Sequence, residues 1–342
     1  MEVLLGKTLL ELQAVAQEVG LPRFAGKQLA AWIYVRRATS FDEMTNISLK
    51  GREALKARYN IGRHAPVAEA ISKDGTKKYL FRVSNSEAIY IESVYIPDDD
   101  RATLCVSTQA GCKMGCKFCM TGTLGFHGHL SAAEILNQIF SIPDSDKLTN
   151  IVYMGEGEPM DNLDNVLRSL EVMTAAWACA WSPKRITVSS VGVNKGLKRF
   201  IEESECHLAI SLHNPFSIER QEIMPIEKAN RLNDVIALLK QYDWCHQRRV
   251  SFEYICWGGV NDTPKHANEL LRLLKGLDCR INLIRFHAGV NQDFPGSNEQ
   301  QMEWLRNYLT ERGITTTIRR SRGEDILAAC GMLVNALQSD KQ

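Results

Sequence analysis

The chain has 342 residues, 44% of them apolar and 24% charged, with 41 basic against 40 acidic side chains and a formal charge of +1. That composition is of an ordinary globular protein long enough for one large domain and a smaller one, and the net charge alone does not announce a nucleic-acid binder. No apolar run is long enough to span a bilayer, and Met1-Glu-Val-Leu-Leu-Gly-Lys7 lacks a secretory layout, so no membrane partner is expected. Ten cysteines are too scattered in a chain this long for a secreted disulfide scaffold, which points to a reducing cytoplasm.

Residues 1–64 read as a small helical domain. Leu9, Leu10, Leu12, Val15, Ala16 and Val19 recur at helical spacing, and a turn at Gly20-Leu-Pro22 follows. A second helix is expected over 24–37, with Leu29, Trp32 and Ile33 on one face, and a third over 48–59. Ten Lys or Arg against six Asp or Glu make this domain basic, which suits contact with RNA phosphates as well as it suits a solvated surface. Residues 65–100 change period and form a short β accessory segment, with strands expected over 79–83 and 88–96.

From 101 to 342 the pattern becomes strand, loop, helix. Strands are expected over 104–108, 151–154, 186–190, 207–212, 250–255, 281–286 and 315–319, with helices such as 131–140, 163–175, 264–274 and 299–312 between them. Such alternation predicts the α/β class, and about six units predict a partial (β/α) barrel rather than a complete one.

The chemistry concentrates at Cys112-Lys-Met-Gly-Cys116-Lys-Phe-Cys119. Three thiolates in one short loop suit an iron–sulfur cluster or zinc. With three cysteines, a four-iron cluster keeps one iron open to bind something else, whereas a structural zinc wants a fourth ligand, which His127 or His129 offers. Other polar residues end the following strands: Gly155-Glu-Gly157-Glu158 the second, Ser189 and Ser190 the third, Ser211-Leu212-His213 the fourth, and His287 the sixth. Each taken singly is equally a helix cap, a connection or a structural histidine. Together they lie at the C-terminal rim, where barrel active sites assemble. Cys105 and Cys330 stand outside the cluster motif, and Cys330 has two carboxylates and two arginines nearby in sequence, a setting that favours a reactive thiol. Glu92, inside an alternating apolar strand, reads by itself as a solvent-facing residue.

The C-x3-C-x2-C spacing with Phe118 before the last cysteine resembles the radical S-adenosylmethionine (SAM) family. That resemblance implies a [4Fe–4S] cluster whose open iron chelates SAM, and cleavage of SAM to a deoxyadenosyl radical. Further stretches occur in order: Ile91-Glu-Ser-Val-Tyr-Ile-Pro97, Arg101 to Cys112, Gly157-Glu-Pro159, Ile210-Ser-Leu-His213 and Arg322-Gly-Glu-Asp-Ile-Leu-Ala-Ala-Cys-Gly331. Together they resemble the RlmN-type methyltransferases, which methylate C2 of adenine in 23S rRNA and tRNA. The resemblance implies Cys112, Cys116 and Cys119 as cluster ligands. It implies Gly157, Glu158, Ser189, Ser211, Leu212, His213 and His287 as SAM contacts. It makes Cys330 the cysteine that is itself methylated, Cys105 its resolving partner through a disulfide, and Glu92 the proton acceptor. An electron donor such as flavodoxin and a monomeric state go with it. Two departures stand out: His287-Ala288 replaces the usual Asn-Pro, and Glu156 replaces the usual Met. The alternatives are a Cfr-type enzyme acting on C8 of adenine, against which Pro159 counts, and a non-catalytic zinc-bound RNA-binding protein.

Overall fold

The computed structural model describes residues 1–83, 86, 88–244, 248–287, 294–329 and 331–333. Cys330 therefore lies outside the described residues, while the chain on both sides of it is described.

Seven strands form a parallel sheet in strict sequence order: Ala102–Cys105, Asn150–Tyr153, Ile186–Ser190, His207–Ser211, Val250–Cys256, Cys279–Arg285 and Thr315–Ile318. Six helical crossovers connect them, among them Ala132–Phe140, Leu163–Thr174, Asn194–Glu203 and Pro264–Leu274. Each strand pairs with its sequence neighbour, so the crossovers all travel the same way and the sheet curls toward a barrel. It stays open because its first edge continues antiparallel into Tyr90–Pro97, Lys77–Arg82 and Ala68–Ile71, where a complete barrel would add further βα units. The expected partial barrel is borne out. The interior strand Val250–Cys256 has all seven residues buried, as suits a parallel strand covered on both faces.

Three local details differ from the expectation. The first parallel strand ends at Cys105. The chain then forms Gln109–Gly111, which pairs antiparallel with Phe126–His129 and closes the base of the cysteine loop. Ala68–Ile71 adds an edge strand that short, half-polar sequence did not reveal. The second helix is α over Ala25–Ala30 and π over Ala31–Val35. Trp32, Ile33 and Tyr34 of this wider turn are all buried.

The N-terminal helices share one apolar core with the barrel. Leu4, Leu12 and Ile33 belong to the same buried cluster as Ile135, Phe140 and Leu170. Polar contacts seal the joint. Arg63 donates to the carbonyls of Arg37 and Phe140, the side-chain amide of Asn137 exchanges hydrogen bonds with the backbone of His64 (2.8 and 3.0 Å), and Arg168 pairs with Glu11 at 2.7 Å.

Candidate active site

The cysteine loop leaves the small hairpin through Gly111, whose φ of +69° and contact with Gly125 admit no side chain: a Cβ there would sit 2.0 Å from the Gly125 carbonyl oxygen. Cys112 N–H then bonds that same oxygen at 2.8 Å, Cys119 N–H bonds the Cys116 carbonyl at 3.1 Å, and Gly122 N–H the Cys119 carbonyl at 3.0 Å. These turns bring the three cysteines to one wall of a cavity of about 130 Å³. Phe118 packs behind them, edge-on to His213 at 4.8 Å and tilted against Trp257 at 5.4 Å.

Burial pushes the Cys112 thiol up to about 12 and raises Cys116 and Cys119 as well. Such thiols keep their protons unless a cationic centre supplies the charge that stabilises thiolates, so the donor set fits a metal cluster. Three thiols on one cavity wall can each hold one iron of a polynuclear cluster. His127 bonds the Leu124 carbonyl at 3.0 Å and His129 bonds Gln109 at 3.1 Å. Both are exposed and neither lines the cavity, so they do not serve as a fourth zinc ligand.

The opposite wall is made of strand ends. Gly157, Glu158, Ser189, Ser211 and His213 all line the cavity, as expected. Gly157 has φ +96°, and a Cβ on it would meet Gln109 at 2.5 Å, so the backbone alone approaches here. The Glu158 carboxylate accepts from Met160 N–H (3.1 Å) and Val191 N–H (2.9 Å), while burial pushes its pKa up to about 7. An ammonium group entering the cavity would draw it to the ionised form. His213 Nδ1 accepts from Ile255 N–H at 3.1 Å, which leaves the ring proton on Nε2, and burial holds the ring neutral with a pKa of about 3.

Two expected contacts are placed differently. Leu212 is fully buried and does not line the cavity; it contributes its backbone, accepting from Arg220 at 3.0 Å. His287 does not reach the cavity either. Beyond the strand end at Arg285 the chain turns it toward the C-terminal segment, where Nε2 meets Ser321 Oγ at 2.5 Å and Nδ1 lies 3.4 Å from Glu324.

Beside the cavity lies a second polar face. Glu92 is 2% exposed rather than solvent-facing, and its Oε1 pairs with Lys78 at 3.1 Å. Glu156, the unexplained carboxylate of the sequence, is a cross-brace. Its two oxygens accept from Glu92 N–H (2.8 Å) and Gly111 N–H (3.3 Å), joining the Glu92 strand to the cysteine loop. Burial pushes its pKa up to about 8. Cys105 is half-buried and packs with Val94, Ala328 and Leu333. The segment around position 330 is docked on the loop as well: Gly331 accepts from Met120 N–H at 2.8 Å, and Leu333 from Thr121 Oγ1 at 3.3 Å.

Sequence reasoning missed the residues that hold this site together. Arg220, fully buried, pairs with Glu227 and donates to the carbonyls of Val191, Ser211 and Leu212, tying two rim segments together. Glu253 in the cavity wall accepts from Asn282 at 2.7 Å and pairs with Arg319 at 3.3 Å.

An open, curled parallel sheet with a three-cysteine loop after its first strand, facing a cavity ringed by the other strand ends, defines a radical SAM enzyme. Comparison bears this out: residues 106–284 match the radical SAM superfamily, and residues 3–61 match the ribosomal RNA large subunit methyltransferase N-terminal domain. The chain is 60% identical to the probable dual-specificity RNA methyltransferase RlmN of Bacteroides fragilis, over 98% of this chain and 97% of that one. It is 39% identical to the dual-specificity RNA methyltransferase RlmN of Marinobacter nauticus, over 98% and 93%. The crystal structure of a radical SAM methyltransferase from Sphaerobacter thermophilus superposes with a TM-score of 0.90 at 35% identity, covering 97% of this chain and 99% of that one. The chain belongs to the RlmN family of radical SAM methyltransferases. Membership in the superfamily implies a [4Fe–4S] cluster and SAM.

Proposed function

We propose that this enzyme methylates C2 of adenine in 23S rRNA and tRNA through an S-methyl group carried on Cys330. The observation that carries the reading is convergence. The chain flanking Cys330 is hydrogen-bonded to the loop that follows Cys119, and it packs on Cys105 beside the buried Glu92.

Cys112, Cys116 and Cys119 hold the cluster. Glu158 receives the amino group of SAM, and Ser189, Ser211 and His213 offer hydrogen bonds to its polar parts, with Gly157 and Leu212 contributing backbone. Bound cluster and SAM supply the methyl group and the carbon radical that an electron-poor C2 accepts where a polar transfer fails. Glu92 takes the proton that C2 loses. Cys105 attacks the Cys330 sulfur, closing a disulfide as the carbon–sulfur bond breaks; that bond's electron pair stays with the methylene carbon, which takes up a proton to become the methyl group. The cavity is too small for a base still stacked in RNA, so the adenine must be turned out of its stack, as unpaired loops permit. The basic N-terminal domain meets RNA phosphates. A cytoplasmic setting, a monomeric state and an electron donor such as flavodoxin complete the reading. Among the described residues no helix is long and apolar enough to cross a membrane.

The test is the mass of the peptide carrying Cys330 after anaerobic incubation of cluster-loaded protein with SAM. A gain of one methyl group is expected; an unmodified peptide from protein that cleaves SAM would overturn the reading. Mapping the methyl group on product RNA then distinguishes C2 from C8.

A further inference from the structure

Lys78 sits on the strand Lys77–Arg82, and its place in the sheet is informative. Lys78 pairs with Val94, and Val94 pairs in turn with Cys105, so the three form one row across three antiparallel strands. Residues paired this way point to the same side of a sheet, and Glu92, two residues before Val94, shares that side. This is the side on which Val94 and Cys105 pack against Ala328 and Leu333, the neighbours of Cys330 in sequence. Lys78 thus belongs to the face where the methyl group is handed on.

Among the described residues its ammonium makes two contacts. It lies 3.1 Å from Glu92 Oε1, and it donates to the Leu327 carbonyl at 3.4 Å. The Lys78 side chain is 12% exposed and that of Glu92 3%. The backbone of Glu92 is fixed separately, by Glu156 on its N–H and by Ser107 Oγ at 2.6 Å on its carbonyl. What the ammonium adds is therefore specific to the carboxylate and to the C-terminal segment.

We propose that Lys78 is a positioning residue for methyl transfer: it holds Glu92 as an aimed carboxylate and ties it to the segment that carries Cys330. The inference rests on the proposed role of Glu92 as proton acceptor. A carboxylate buried without a counter-charge takes up a proton, and a protonated Glu92 has no capacity for another. When the C2–H bond breaks, its electron pair stays in the ring and the proton forms an O–H bond on Glu92. Lys78 neither gives nor takes a proton in that step. It keeps the acceptor charged beforehand and holds it at the distance that the Leu327 contact sets.

The experiment uses full-length, cluster-loaded enzyme and an RNA substrate carrying deuterium at C2 of the target adenine. Glutamine at 78 keeps a donor for the Leu327 carbonyl and removes the charge. With K78Q, methylation of Cys330 by SAM proceeds within about twofold of the parent, while RNA turnover falls about tenfold to a hundredfold, a part of the roughly hundredfold to ten-thousandfold that a proton-transfer group supplies. The covalent protein–RNA adduct accumulates with its deuterium retained. In C105A, which stalls after proton removal, the adduct has lost it. K78R keeps a positive charge with altered reach; it recovers part of the turnover and becomes slower on deuterated than on ordinary RNA.

Parent-like turnover by K78Q, loss of Cys330 methylation in it, or loss of deuterium from its adduct would each overturn the proposal. Should K78Q not fold, an absence of any isotope effect in K78R does so. E92Q separates the two levels. If E92Q methylates RNA at the parent rate, the assignment of Glu92 fails. If E92Q stalls with deuterium retained and K78Q does not, only the role of Lys78 fails.

Discussion

The cavity that faces the cysteine loop and the face that carries Cys105 lie side by side but are built in different ways. The cavity is made of the ends of parallel strands, and beneath it Arg220 and Glu227 form a buried ion pair that grips three rim carbonyls. Its shape is settled by the barrel core. The neighbouring face is made of antiparallel accessory strands and an extended C-terminal segment, joined by polar clamps. Asp325 accepts from Ser72 Oγ (2.5 Å) and Lys73 N–H (3.2 Å), Asp74 accepts from Gly323 N–H (3.0 Å), and Lys78 reaches Leu327. The difference suits two tasks. Under the proposed function, a site that binds a cluster and SAM gains from rigidity, whereas a thiol that receives a methyl group, passes it on and meets a second thiol has to change partners.

Removing a proposed cluster ligand should break the comparison most completely. Cys116→Ala abolishes the brown iron–sulfur absorbance and takes RNA methylation to background, while circular dichroism remains that of the parent. The rim should show its rigidity next. Arg220→Met leaves Glu227 buried without its partner and lowers stability by about 3–5 kcal/mol, read as a lower urea midpoint. On the other face the effect is on transfer rather than on folding. Asp325→Ala loosens the C-terminal segment and slows RNA methylation about tenfold to a hundredfold, as misplacement of reacting groups does. SAM affinity, measured by calorimetry, stays unchanged. Comparable losses of SAM binding in Asp325→Ala would show that the two regions are one.

The smallest effect concerns Glu156, which links them. Its carboxyl holds its proton up to about 8 in the folded protein but ionises near 4.5 when the chain unfolds. Between those values the unfolded chain binds fewer protons, so this residue makes stability fall as pH rises from about 4.5 to 8. Glu156→Met, the family's usual residue, flattens that slope in urea unfolding of the cluster-free protein; an unchanged slope would count against a protonated Glu156.

Much of the rim was legible because its residues fall at strand ends, and strand ends follow from the spacing of apolar runs. Ser189, Ser211 and His213 needed no partner to be placed. The supporting residues were illegible for the converse reason. Glu253 and Arg319 are 66 positions apart, and neither carries a local sign that it has a buried partner. Glu92 looked like a solvent-facing position of an accessory strand, and Lys78 fell just before the strand expected over 79–83; only the register of the hairpin puts them together. His287 shows the limit from the other side. It does follow a strand, but two residues of loop were enough to aim it at Ser321 instead of the cavity. The π turn at Ala31–Val35 was hidden because its apolar residues satisfy an α-helical pattern equally well.

The shared apolar core between the N-terminal helices and the barrel has a consequence for choosing a substrate. Because Leu4, Leu12 and Ile33 pack in one continuous interior with Ile135 and Phe140, and Arg63 bolts the junction, the basic domain is no tethered antenna that can wander to suit its target. It acts as one arm of a fixed caliper, with the cavity as the other. If the proposed function holds, RNAs of unrelated sequence are then equivalent when they present a phosphate ridge and a turned-out adenine at the gap the caliper is set to, and those that do not are rejected by span before any base is read.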